Sequence, residues 1–326
     1  MDKKWIKYGA IAVLIIVILL SLFLAFHQNY DGFQKINLQE PKSLVLTDKV
    51  AAVKDKDRVL TIDDRGKTRV IYEGRMKDLA AGDEYFYILN DGIDIYKENG
   101  KHRKTIEDTG DYQMIKGENN TLTVLGDHEI KTLDNDGNLL AKQVDEEAMF
   151  TLSAVNKKRN YFAYAALDTD ENRYISEFYL HGSKGLILHH EFVDQVIYAM
   201  KFMDDDLVML TNRSIYVFTS EHELYSVYVD DIKSFDVNGE GIYIIDGDSF
   251  IVYDEKLNRI DKINLRSEYE YILSHDRDVI LYNERGYGVY RTNQINDYKV
   301  DGKIKKVVSN RHGVYLVFNN RMERIP

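Results

Sequence analysis

Apolar and polar positions alternate along this chain in short runs that recur at a nearly fixed distance. Ile62, Tyr96, Leu133, Leu180, Phe218, Tyr253 and Tyr290 each close a strand-like run before a polar turn, with gaps of 34, 37, 47, 38, 35 and 37 residues. A second apolar register lies eight or nine residues before most anchors, at Val53, Ile88, Val124, Leu210, Ile245, Leu281 and Val317. Two registers sharing one period predict a repeat architecture: a four-stranded sheet with two apolar faces cannot bury both alone and must stack on its neighbours. That is the pattern of a β-propeller.

One repeat shows the layout. Between residues 76 and 108, MKDLAAG, EYFYILND, GIDIYKENG and KHRKTIED supply strands A, B, C and D. Strand B is apolar on both faces, with Tyr85, Tyr87 and Leu89 on one side and Phe86 and Ile88 on the other, as a strand sandwiched between two blades must be. Gly66, Gly100 and Gly137 end the first three C–D turns, each four residues after its anchor, where the backbone needs positive φ. Later turns (SEHE, DEKLN, TNQIN) stay polar but lose the glycine. The last unit offers A (IKKVVSN), B (GVYLVF) and C (RMERIP) and no D. The segment GFQKINL, residues 32–38, has the length and alternation to supply it, and pairing it there removes exposed sheet edges. The expectation is an all-β, eight-bladed propeller over residues 32–326, with 32–38 closing the last blade. A seven-bladed ring, with 32–38 as a linker, is the alternative.

The N-terminus follows different rules. Residues 1–7 carry Lys3, Lys4 and Lys7 against Asp2, and no charge follows from Tyr8 to Phe26. Those 19 residues are enough for one membrane-spanning helix and longer than the apolar core of a cleaved secretory signal. The expectation is a cytoplasmic stub at 1–7, a transmembrane signal anchor at 8–27, a linker at 28–31 and a propeller outside the cell membrane, oriented by the positive-inside bias. The formal net charge is -11, and the part beyond the stub carries -13. So acidic a domain disfavours nucleic acid as a partner. The absence of cysteine excludes disulfide staples and thiolate chemistry.

The runs VLTIDDRGK, IDIYKENGK and IKTLDNDGN resemble the strand-turn-strand signature of quinoprotein-like repeat propellers, a superfamily holding both pyrroloquinoline-quinone dehydrogenases and non-catalytic assembly scaffolds. The resemblance covers residues 42–326 and implies fold alone. Those repeats usually carry a tryptophan after the turn glycine, whereas the single Trp here is Trp5, so blade docking falls to Tyr, Phe and Ile. A signal anchor followed by an exterior propeller also looks like single-pass, membrane-anchored propeller proteins of Gram-positive bacteria.

No residue set identifies a reaction, and no catalytic residue, cofactor or metal is assigned. His189, His190 and Glu191 form a compact His/carboxylate cluster, but adjacent strand residues face opposite sides and do not share an ion. HGSKG at 181–185 lacks the phosphate-loop pattern and sits where a C–D turn belongs. Asp134, Asp136 and Asn138 suit a hairpin turn, and Asp168, Asp170 and Asn172 an exposed loop, since neither run continues as a calcium-binding loop.

Charge placement says more. In a four-stranded blade the D–A and B–C connections share one face of the disc, and the A–B and C–D connections share the other. The first face collects Glu107, Asp108, Asp145, Glu146, Asp168, Asp170, Glu171, Asp230 and Asp231, taken as a partner-binding set. The second is mixed, with Lys101, Arg103, Lys157, Lys158 and Arg159 taken as membrane-facing. One-sided acidity around a ring sums into a potential that selects cationic partners. The function expected is a non-catalytic interaction or scaffold module of the cell envelope, docking an envelope or membrane protein with a basic surface. The alternative is a sensor or binding domain for a small ligand or cation at the central channel.

Overall fold

Alternating apolar runs broken by tight polar turns fold here into consecutive antiparallel hairpins. A computed structural model describes residues 35–37, 43–107, 110–170, 173–220 and 223–326, the side chains of 35–37 and of 170 excepted. It contains eight four-stranded antiparallel sheets. Blades 1 to 7 are built from consecutive strands within 43–73, 78–106, 112–144, 149–193, 197–228, 232–264 and 271–299. Blade 8 takes strands A to C from 306–324 and its outer strand from Lys35–Asn37, which pairs antiparallel with Arg321–Arg324. The ring is thus closed by the segment expected to close it. The expected membrane span, 8–27, lies outside the described residues, and among those described no helix is long and apolar enough to cross a membrane.

The anchors all fall on strand C, the second register on strand B, and each anchor faces a strand B residue, as in Tyr96 opposite Phe86 and Tyr253 opposite Ile242. Both faces of strand B are buried as its sequence requires. Phe86 and Ile88 pack with blade 1, around Ala52 and Val59, while Tyr87 and Leu89 pack with blade 3, around Leu122 and Val124. One such apolar cluster fills each of the eight interfaces between neighbouring blades. Large side chains so buried stabilise the ring by about 1.5–3 kcal/mol each.

Turn chemistry follows the sequence. Gly66, Gly100 and Gly137 have φ of 74°, 75° and 79°, and Leu257 takes the same place at φ 61°. The first residue of the turn holds it together, since Asp134 accepts the backbone N–H of Asp136 (2.8 Å) and Asn138 (2.9 Å). Asp254 does the same for Lys256 and Asn258. Around the channel, asparagines at the ends of strand A tie four of the blades to the next. Asn119, Asn156, Asn238 and Asn310 donate side-chain amides to the carbonyls of Val155, Asp204, Asp276 and Thr47.

Blade 4 departs from expectation. The residues read as an exposed B–C loop extend two strands instead: Tyr161–Asp170 and Arg173–Gly182 pair out to Asp168 opposite Ile175, Thr169 opposite Tyr174 and Asp170 opposite Arg173. Thr169, Tyr174 and Ile175 favour extended backbone, so the 47-residue gap becomes a taller blade, not a longer loop.

Candidate interaction face

Strand direction puts the D–A and B–C connections of every blade on one face of the disc. On that face the acidic residues found from sequence behave differently from one another. Glu107, Glu146, Asp230 and Asp231 are exposed, and Asp168 is half-buried on the extended hairpin. Asp108 and Glu171, with the Asp170 side chain, lie outside the described residues. Asp145 is turned inward: its carboxylate accepts the N–H groups of Glu147 and Ala148, both at 2.9 Å, and the Tyr179 hydroxyl at 2.7 Å. Burial alone would raise its pKa, but these hydrogen bonds to the charged form outweigh it and hold the group below the usual carboxylate range. Asp145 therefore serves the turn first and the surface second.

The same face carries exposed aromatic and apolar side chains that charge patterning did not single out. Among the described residues every exposed tyrosine sits there: Tyr174, Tyr198, Tyr228, Tyr271 and Tyr298, each within two residues of a strand end that opens onto this face. Tyr228 is 69% and Tyr198 60% exposed. Met149, Val144 and Val193 join them at the ends of strands in blades 3 and 4. Over blades 3 to 5 these side chains interleave with Glu146, Glu147, Asp194, Asp230 and Asp231. The signal was present in the sequence as a Tyr or Met at the edge of an otherwise alternating strand.

On the opposite face the two arginines are neutralised locally and the lysines are not. Arg103 donates to Asp136 of blade 3 at 2.5 Å and lies over the Tyr85 ring, and Arg159 pairs with Asp205 of blade 5. Lys101, Lys157 and Lys158 are exposed and make no ion pair among the described residues. The channel mouth on this face holds a cavity of about 580 Å³ lined by Asp48, Asp83, Glu118 and Arg311, with Arg311 paired to Asp48 at 3.0 Å.

One constellation joins residues far apart in sequence. Strand D of blade 4, Gly185–Val193, pairs with strand C so that Tyr179 faces His189 and Glu177 faces Glu191. The ligating atoms of Glu177, His189 and Glu191 lie within 4.8 Å of one another. His190 points the other way, against Phe192 and Phe218, as adjacent strand residues must. Glu177 is the member that sequence reading missed, because only cross-strand register brings it there.

No protein-family profile matches the sequence, and no curated protein resembles it in sequence. Solved structures are similar in shape. BamB from Moraxella catarrhalis is 8% identical, over 90% of this chain and 98% of that one, with a TM-score of 0.61. The Dos1 propeller is 10% identical over 89% and 93%, with a TM-score of 0.62. The WD40 domain of Neurospora crassa Pan2 is 13% identical over 78% and 90%, with a TM-score of 0.51. At such identities the likeness establishes the β-propeller fold.

Proposed function

We propose that the chain is a membrane-tethered, extracytoplasmic propeller that acts as a non-catalytic interaction or scaffold module of the cell envelope. In this reading it docks a protein with a basic surface on its D–A/B–C face. The observation that carries the reading is the coincidence, on one face, of the exposed tyrosines with an acidic set. Tyrosine supplies large contact area at low entropic cost and dominates interface hot spots, while surrounding charge steers a complementary partner and fixes its register. The tether rests on the uncharged run at 8–27. In this reading Lys101, Lys157 and Lys158, which are exposed, are the residues that would meet anionic lipid headgroups, leaving the acidic face to the partner. A second reading, a small ligand or cation at the channel, is favoured by the cavity at the channel mouth alone.

The test is crosslinking capture from membranes, quantified against salt. Neutralising Glu146, Asp168, Asp230 and Asp231 to Gln or Asn should weaken capture of a stoichiometric partner about tenfold and flatten its salt dependence. Tyr198→Ser with Tyr228→Ser should weaken it without altering the salt slope. Lys101→Gln with Lys157→Gln and Lys158→Gln should leave it unchanged. Equal capture by all four proteins would refute the docking face.

A further inference from the structure

We propose that Glu177, His189 and Glu191 form a binding site for a divalent transition-metal ion on the flank of blade 4. The set is presented by two paired strands, Glu177 on one and His189 and Glu191 at i, i+2 on the other with Glu191 opposite Glu177, so all three side chains project from one face. His189 Nε2 lies 2.8 Å from Glu177 Oε2, the arrangement two ligands adopt when they satisfy each other without an ion between them. The imidazole stacks on Tyr179 with centroids 4.6 Å apart and planes 6° from parallel, which fixes its orientation. The one proton of the Tyr179 hydroxyl is shared between Glu177 Oε2 at 2.5 Å and Asp145 Oδ2 at 2.7 Å, an outer shell of the kind that orients ligating carboxylates.

Charge balance supplies an argument independent of these hydrogen bonds. Glu177 and Glu191 occupy directly opposite positions on neighbouring strands, where like charges destabilise pairing. Asp145 brings a third carboxylate, and among the described residues no lysine or arginine pairs with any of the three. A bound dication offsets that repulsion. An imidazole beside two carboxylates sets this group apart among the described residues: one nitrogen and two oxygen donors suit zinc or manganese and leave positions for water. The rim is open, with the His189 side chain 37% exposed, so an ion has a path in. The proposal stands apart from the docking reading.

The experiment is calorimetric titration of zinc, and separately of manganese, into the purified full-length chain after chelation, alongside thermal melts. One saturable site per chain is expected for at least one ion. His189→Gln and Glu191→Gln should each weaken it by at least about tenfold, and Tyr179→Phe by about tenfold through the outer shell. His190→Gln, whose ring packs against Phe192 and Phe218, should bind as the parent does. In chelator Glu191→Gln should melt at or above the parent, because it removes a like-charge contact, and with the ion it should melt below it. Absence of saturable binding by either ion overturns the proposal. So does equal affinity in the parent, His189→Gln and Glu191→Gln proteins.

Discussion

Adding a single methyl group at Gly117 tests how closely the blades approach at the channel. Gly117 lies on strand A of blade 3, Tyr112–Glu118, and an added Cβ would sit 2.3 Å from the Ala81 carbonyl oxygen and 2.5 Å from its carbon. It would also come within 2.8 Å of the Gly82 nitrogen. These are backbone atoms of blade 2, so relief requires the two inner strands to part by close to an ångström, against the apolar cluster that joins the blades. Overpacking a core costs roughly 1–3 kcal/mol, and a 2.3 Å approach to backbone lies at or beyond the upper end of that range, about 3–4 kcal/mol, set against roughly 0.5–1 kcal/mol gained by replacing glycine in a strand. We expect Gly117→Ala to lose about 2–3 kcal/mol. Gly66→Ala is the control: it has φ 74° with nothing within 4 Å of the new Cβ, so only the left-handed backbone is penalised, by about 1–2 kcal/mol. The unit from Phe33 to Pro326 unfolds with an entropy of roughly 0.6 kcal/mol/K. The melting temperature of Gly117→Ala should therefore fall by about 3–5 °C and that of Gly66→Ala by about 2–3 °C, read by calorimetry. If Gly117→Ala melts with the parent, the close approach of strands A at the channel is wrong.

Two further outcomes follow from the same geometry. A soluble chain starting at Lys42 lacks the strand that covers Arg321–Arg324, so it should lose a few kcal/mol and associate through the exposed edge. Matching melting temperatures and light scattering for chains starting at Lys42 and at Asp31 would contradict ring closure. Glu129 is pushed up by burial but held down more strongly by hydrogen bonds from Lys131, Lys142 and Tyr112, which bring its pKa to about 2. A depressed carboxylate contributes stability that is present above its unfolded pKa of about 4.3 and lost as pH falls toward 2. Glu129→Gln should remove about 1 kcal/mol of that acid dependence, measured as denaturant midpoints from pH 5 to pH 2.

Much of the architecture is local and therefore legible. The anchors, the turn glycines and the doubly apolar strand B each depend on neighbours within one hairpin, and all take the places their pattern dictates. The eighth blade was legible as a missing strand at one end and a spare one at the other, although the pairing of Lys35–Asn37 with Arg321–Arg324 is a contact across nearly the whole chain. The acidic face was legible too, since alternation of strands assigns connections to faces by topology alone. Its tyrosines passed as ordinary strand residues, because exposure at a strand end depends on where the neighbouring blade stops.

Blade 4 marks the boundary between what the chain carries in its order and what folding decides. Sequence alone establishes that Glu177 and Tyr179 share one strand face and that His189 and Glu191 share another, because side chains alternate with period two. Which faces meet is a matter of register. Next to the turn, Gly182 pairs with Gly185 and His181 with Leu186, a register that, continued, would set Glu177 opposite His190. A bulge between Leu180 and His181 inserts one residue, shifts the pairing, and sets Glu177 opposite Glu191 instead. One extra residue in a ladder reverses every side chain beyond it, so the tertiary structure, through that bulge, decides which histidine meets the two carboxylates.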